Sequence, residues 1–291
     1  MLPITRRRLL TAMVISPLLW QQTLRAETID SQRIVALEWL PIELMMALGV
    51  VPMAAAELFN YRDWVGKPEL PASVIDVGLR TEPNLELLTQ LKPSLILYSS
   101  GYGPSPQTLS RIAPSQGFAF NNGDGKPLTA ARQSLMQLAQ RIGREPQART
   151  HLTMLDEFFA DMRTRLAPRA AKPLLLMSLI DKRHAIVFGK GSLFLEVMQN
   201  LGLQNAWQGE TNFWGSAVIG IERLAAIHDA DALCLSHGDD ALMKQIAATE
   251  LWQSLPFVRQ GRFTRVPTVW FYGATLSAMA FCQTLDKVLE A

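Results

Sequence analysis

The sequence predicts an α/β protein made of two related Rossmann-like lobes joined by a single long α-helix. Short apolar runs bounded by turns alternate with helical patterns, as βαβ units require. One plan, an amphipathic helix followed by a short turn and a buried strand, occurs at residues 85–98 and again at 221–235. Between these repeats, residues 148–166 run without Gly or Pro, and Leu152, Leu155, Phe159 and Met162 form one apolar stripe. One large doubly wound sheet would fit the same local pattern but would leave this spacer helix without a purpose.

The first lobe begins with a strand at 33–37 (RIVAL). An apolar helix follows from Pro41 to Leu48, then another apolar stretch at 50–55, a strand–helix–strand succession. Residues 74–77 and 94–98 supply further strands, and 113–120 holds one more. Leu85, Leu88 and Leu91 repeat at helical spacing before Lys92-Pro93 stops the helix. Leu135, Leu138 and Ile142 mark another helix, separated by Gly143 and Pro146 from the spacer at 148–166. At ~1.5 Å per residue the spacer is roughly 28 Å long, about the diameter of a small domain, which suits a strut. The second lobe opens with a strand at 173–177 (PLLLM) and continues with an amphipathic helix at 221–227 and a buried strand at 231–235. The lobes are placed at 27–143 and 168–291, with the joining helix at 144–167.

Residues 1–26 read as an export signal of the twin-arginine type. TRRRLL at 5–10 precedes an apolar stretch too short for a stable anchor, and cleavage is expected after Ala26. The chain holds 28 Lys and Arg against 26 Asp and Glu; Arg6, Arg7, Arg8 and Arg25 lie in the leader, leaving 24 basic against 26 acidic groups, a balance of −2. That balance gives no electrostatic footprint for nucleic acid. No other apolar run is long enough to span a membrane. Cys234 and Cys282 each read as small buried residues, and the sequence leaves open whether they pair.

Arg80 and Tyr102 flank the first helix–strand repeat and fall in loops beside one sheet edge. In open α/β sheets the loops at the carboxyl ends of strands line the ligand crevice. A guanidinium there offers five donors, and a phenol adds a donor and an aromatic face, which suits an oxygen-rich ligand. The alternative is an Arg in a surface ion pair and a Tyr in a turn. Trp39, Trp64, Trp214 and Trp270 sit beside turn signals in both lobes and point to a shared cleft, although each fits equally as a core residue at an element end. No GxSxG elbow, HExxH, Walker loop or Rossmann glycine fingerprint occurs. Gly189-Lys190-Gly191-Ser192 reads as a turn entering a helix. Ser236, His237 and Asp239 are too close in sequence to indicate a triad. With His228, Asp229, Asp231 and Asp240 they offer metal ligands in principle, but a solvated acidic loop is the better reading. His151 and His184 stand alone.

Five segments carry a family resemblance: RIVALEWLP at 33–41, VGLRTEPN at 77–84, SGYGPSP at 100–106, AWQGETNFWG at 206–215 and RVPTVWFYGA at 265–274. Over nearly its whole length the chain resembles the periplasmic ferric-hydroxamate siderophore binding proteins of bacterial ABC iron importers. The resemblance implies two lobes on a helical backbone, a shallow aromatic cleft with limited closure, no enzymatic activity and no cofactor or metal ligand of the protein's own. It further implies that Arg80 and Tyr102 hydrogen-bond the oxygens of an iron–hydroxamate centre. Trp214, Ser216 and Trp270 would come from the second lobe, and Trp39, Trp64, Tyr98 and Ile186 would complete the wall. Partners implied are a ferric hydroxamate such as ferrichrome and an inner-membrane permease with its ATPase, met by a monomer in the periplasm. Two departures stand out: Tyr98 replaces a Trp common in relatives, and Gln107 replaces an acid at the first permease-docking position, whereas Glu222 fits the second. A carrier for another iron or corrinoid chelate is the nearest alternative, and a twin-arginine-exported cofactor enzyme a more distant one.

Overall fold

A computed structural model describes residues 29–169, 171–236 and 240–289; the leader at 1–26 and His237 and Asp239 lie outside the described residues. The first sheet comprises β1 (Ile34–Ala36), β2 (Ala54–Ala55), β3 (Ile75–Asp76), β4 (Leu95–Ser99) and β5 (Ser115–Phe118), in the order β3-β2-β1-β4-β5 with every neighbouring pair parallel. The two central strands are covered on both faces, which is why they read as unbroken apolar runs. The apolar stretch at 50–55 gives only two residues to the sheet. The strand order reverses between β1 and β4, so the loops leaving their carboxyl ends diverge and open a crevice.

Around this sheet lie α1 (Trp39–Ala47), α2 (Leu58–Trp64), α3 (Leu85–Leu91), the single turn α4 (Pro106–Leu109) and α5 (Pro127–Ile142). Asn84 caps α3 by accepting the Leu87 N–H at 2.9 Å. At its other end Lys92 turns left-handed (φ 48°) ahead of Pro93. The spacer is α6 (Glu145–Leu166), 22 residues and so ~33 Å long. It starts earlier than its apolar stripe because Pro146, lacking an N–H, costs nothing in the first turn.

The second sheet holds β6 (Leu174–Leu179), β7 (His184–Phe188), β8 (Ser216–Gly220), β9 (Asp231–Ser236) and β10 (Phe263–Pro267), in the order β10-β9-β6-β7-β8. β6, β9 and β10 run parallel, while β7 is antiparallel to both its neighbours. The lobe's helices are α7 (Leu193–Leu201), α8 (Asp240–Ala247), α9 (Glu250–Ser254), α10 (Pro256–Arg259) and α11 (Thr275–Leu289). The glycine loop does enter a helix: Ser192 caps α7, accepting the Leu195 N–H at 3.0 Å. The helix expected at 221–227 is a 3₁₀-helix, Ile221–Ala226. Its buried residues Ile221 and Leu224 stand three positions apart, and three residues per turn keeps them on one side.

The lobes share one apolar core. A continuous cluster runs from Ile34, Leu44 and Leu97 of the first sheet region through Leu155 and Phe159 of α6 to Leu176, Phe188 and Phe281. Two glutamates cross between the lobes in opposite directions. Glu43 of α1, wholly buried, accepts the N–H groups of Ala274 (2.9 Å) and Ser277 (3.0 Å) and the Ser277 hydroxyl at the start of α11. Glu196 of α7 accepts the N–H groups of Leu128 (2.6 Å) and Thr129 (3.1 Å) and the Thr129 hydroxyl (2.6 Å) at the start of α5. Each lobe thus caps a helix of the other, supplying acceptors to first-turn N–H groups that have no partner within the helix. Cys234 and Cys282 are unpaired and buried, and burial pushes their thiols up to about 11 and about 12.

Candidate ligand-binding cleft

The chain after β1 passes through Glu38 into α1, and β4 ends on Ser99 and leads into the Tyr102 loop, so the sheet's reversal point gathers polar side chains. Arg80, from the loop after β3, lies across this opening. Its guanidinium carbon sits 3.5 Å from the centre of the Trp39 ring, a cation–π stack with an indole that is almost fully buried. Nη1 donates to Glu38 at 2.9 Å and Nε to Glu57 at 2.8 Å. Glu38 is itself fixed, accepting from the Ser99 hydroxyl (2.7 Å) and the Leu40 N–H (2.8 Å). Burial works to raise the Glu57 carboxyl, but hydrogen bonds from Arg80 and Asn60 outweigh it and hold it below the usual range. Burial likewise works against the Arg80 charge, and the bond to Glu57 and the Glu38 charge more than restore it. Two of the guanidinium's five N–H donors are occupied, leaving three.

Tyr102 stands 5.5 Å from the guanidinium, measured to its ring centre. Gly103 makes that approach possible: φ is +77°, and a β-carbon there would lie 2.7 Å from the Arg80 carbonyl oxygen. The opposite wall is aromatic. Trp270 and Tyr272 come from the segment after β10, Trp214 from the loop before β8 and Phe120 from the segment after β5. Their rings interlock, with Trp214 and Tyr272 at 5.1 Å, Phe120 and Trp214 at 5.5 Å, and Trp270 and Trp39 at 4.8 Å. Asn212 holds the Trp214 loop, accepting the N–H groups of Trp214 (2.9 Å) and Ser216 (3.2 Å). Asn121 donates across to the Phe213 carbonyl at 2.8 Å.

These groups enclose a cavity of about 240 Å³ lined by Glu38, Leu40, Arg80, Ser99, Tyr102, Phe120, Trp214, Trp270 and Tyr272. That is below the ~300–1,000 Å³ of pockets that engulf a drug-sized molecule, so the cleft grips one face of a larger ligand. Larger hollows, near 600 Å³ around Trp207 and Lys190 and near 590 Å³ between Trp64, Ile180 and Arg265, lack this convergence of a donor fork with stacked rings.

The structure therefore brings Arg80, Tyr102, Trp214 and Trp270 together. The Arg80 ion pairs form a half-buried clamp at the cleft and not the surface ion pair of the alternative reading. Trp39 is the first residue of α1 and lies beneath Arg80 and against Trp270; it backs the cavity through those two contacts and does not itself line it. Trp64 ends α2 and flanks the cleft, its ring 6.5 Å from Trp270. Ser216 is buried behind Tyr272, to which it is hydrogen-bonded. Tyr98 packs over Gly117 in the first sheet, and Ile186 is half-buried against the shared core. Glu222 and Gln107 are exposed, and neither lines the cavity. Glu38, Glu57, Ser99, Phe120 and Tyr272 were not expected. Tyr272 lies two residues from Trp270 in a segment already singled out, whereas the acids announce themselves only through contacts 42 and 23 residues away in sequence.

The acidic segment near 228–240 has other partners. Asp229 pairs with Arg262 and Asp240 with Arg265, each at 2.7 Å, and Asp231 with Lys172 at 3.1 Å. Among the described residues no group of three or more potential metal ligands converges. His184 contacts Asp181, and His151 contacts Thr275 at 2.8 Å.

Two α/β lobes fixed on a helical strut, with a donor fork and an aromatic wall facing each other across them, define a binding protein that holds a ligand between lobes. The chain belongs to the periplasmic binding protein family, whose model matches residues 34–269, and it is a transport component rather than an enzyme. It is 58% identical to the iron(3+)-hydroxamate-binding protein FhuD of Escherichia coli, over 98% of this chain and 97% of that one. It is 25% identical to the Fe(3+) dicitrate-binding periplasmic protein FecB of the same organism, over 77% of this chain and 73% of that one. The crystal structure of the siderophore binding protein FhuD from Vibrio cholerae with Fe3+-Desferal bound aligns with a TM-score of 0.82 at 29% identity, covering 90% of this chain and 99% of that one.

Proposed function

We propose that this protein is the extracytoplasmic substrate-binding component of an ABC importer, taking ferric hydroxamate siderophores and delivering them to an inner-membrane permease and its ATPase. The observation that carries this reading is the Arg80 fork, with three N–H donors to spare above an aromatic floor and facing a wall of four aromatic rings. Six siderophore oxygens already saturate ferric iron, so the protein needs donors to those oxygens and flat apolar surfaces for the chelate's skirt, not ligands for the metal. Arg80 and Tyr102 supply the donors; Trp214, Trp270, Tyr272 and Phe120 supply the surfaces. The family relationship and the identity to the hydroxamate-binding relative support the same ligand class.

In this reading residues 1–26 direct export by the twin-arginine route to the periplasm, and the monomer docks on its permease through Glu222. The test is a titration of the mature protein with ferrichrome and with a ferric tris-catecholate, followed by tryptophan fluorescence. Saturable quenching by ferrichrome alone is expected; a response only to the catecholate overturns the ligand class. Arg80→Ala should weaken ferrichrome binding by about 1.5–3 kcal/mol, the range for hydrogen bonds to a charged group. Unchanged affinity would remove Arg80 from the contact.

A further inference from the structure

We infer that the Glu38–Arg80–Glu57 cluster selects ligands by net charge, favouring ferric complexes that are neutral or carry a positive arm, with Glu57 as the specificity-determining residue. This rests on the function proposed above. If Arg80 served to attract anionic chelates, one carboxylate beside it would already cancel its charge. The structure places two, at 2.9 and 2.8 Å. Arg80 and Glu38 line the cavity and Glu57 stands against Arg80 just outside the lining, so the cluster bears one net negative charge; no other charged side chain among the described residues lines the cavity. Arg80 acts as a fork of donors whose field has been reversed.

Glu57 is the member the fold goes furthest to place. Its backbone is left-handed (φ 58°, ψ 48°), one of two such non-glycine residues among those described. A left-handed non-glycine residue of this kind costs on the order of 1 kcal/mol and persists only where surrounding contacts impose it. Here the Glu57 N–H donates to the Gly78 carbonyl at 2.7 Å, and its carboxylate takes Arg80 on one oxygen and Asn60 (2.6 Å) on the other. Glu38, by contrast, is also tied to Ser99 and to the first turn of α1, which gives it a structural role besides. The Glu57 and Arg80 side chains are each less than one-fifth exposed, so solvent screens their charges only in part.

The experiment compares ferric ferrioxamine B, which carries a free ammonium group, with its N-acetylated form, which has the same iron centre and no charge. Both are titrated into the wild type and Glu57→Gln by tryptophan fluorescence. Glutamine keeps an oxygen for the Arg80 Nε–H while removing the charge. Unit charges ~10 Å apart at an effective dielectric of ~30 change a binding constant about six-fold. The wild type should therefore prefer the ammonium form about six-fold, and the variant should lose most of that preference. Raising ionic strength should shrink it in the wild type, a readout that needs no substitution. Equal binding of both forms by the wild type, or a preference insensitive to both salt and Glu57→Gln, overturns the inference. Failure of the wild type to bind either complex instead overturns the hydroxamate reading itself.

Discussion

Glu43 gives the protein a stability that should fall as pH rises through mild acidity. Burial pushes its carboxyl up to about 7 from an ordinary 4.5, against the pull of the Ser277 hydroxyl and the N–H groups of Ala274 and Ser277. Its place at the start of α11 also favours the ionised form, but the loss of hydration in a fully buried site is the larger effect. Below about 4.5 the carboxyl is protonated whether the chain is folded or not. Between 4.5 and about 7 the unfolded chain releases this proton while the folded one keeps it, so each pH unit withdraws about 1.4 kcal/mol, and about 3 kcal/mol has gone by pH 7. Glu43→Gln removes the titration while leaving an oxygen for the two N–H groups and an amide that can donate to the Ser277 hydroxyl. Urea unfolding of both proteins at pH 4.5, 6 and 8 should show the variant gaining on the wild type by about 3 kcal/mol across this range, near 1 M in midpoint. The comparison cancels every other titrating group common to both. Parallel stability profiles would refute the reasoning, by showing that Glu43 is ionised throughout.

The Trp214 loop and the docking residue give two further tests. Gly215 has φ +74°, and a β-carbon there would lie 1.9 Å from the Ser192 nitrogen, so Gly215→Ala should destabilise the fold by at least ~2 kcal/mol and displace Trp214 from the cleft. A melting temperature within a degree of the wild type would show that the loop absorbs the change. Glu222→Arg should reduce siderophore uptake in cells that depend on this protein and leave ligand affinity in solution unaltered; normal uptake would reject Glu222 as a docking contact.

Much of the fold was legible because buried parallel strands leave a strong mark. β1, β4, β6 and β9 are covered on both faces and appear as compact apolar runs, and α6 shows its stripe over about three turns. β7 and β8 were not legible: HAIVF and SAVIG are apolar enough for strands, but their antiparallel setting is decided by pairing with β6 and not by local pattern. The 3₁₀-helix Ile221–Ala226 was taken for an α-helix because periods of 3.0 and 3.6 diverge too little over so short a span. In the cleft, Arg80 and Tyr102 could be placed because each leaves a strand end, a position the topology makes significant. Glu38 and Glu57 could not, since nothing near them in sequence distinguishes them from surface acids. Trp39 and Trp64 carried turn signals yet proved to begin and end helices, where Pro41 occupies the first turn of one and Gly66 lies just beyond the other.

The crossed glutamate caps bear on how cargo leaves. With Glu43 reaching into α11, Glu196 reaching into α5 and one core running under both, the two halves cannot swing apart without exposing apolar surface and stripping two carboxylates of three donors each. A ligand that seats with these contacts intact therefore loses little of its binding free energy to rearrangement of the lobes. The same stiffness bars spontaneous opening as a route to release. Separating the halves would therefore take work supplied from outside, because the contacts that would have to break hold the lobes together and store no spring that drives them apart.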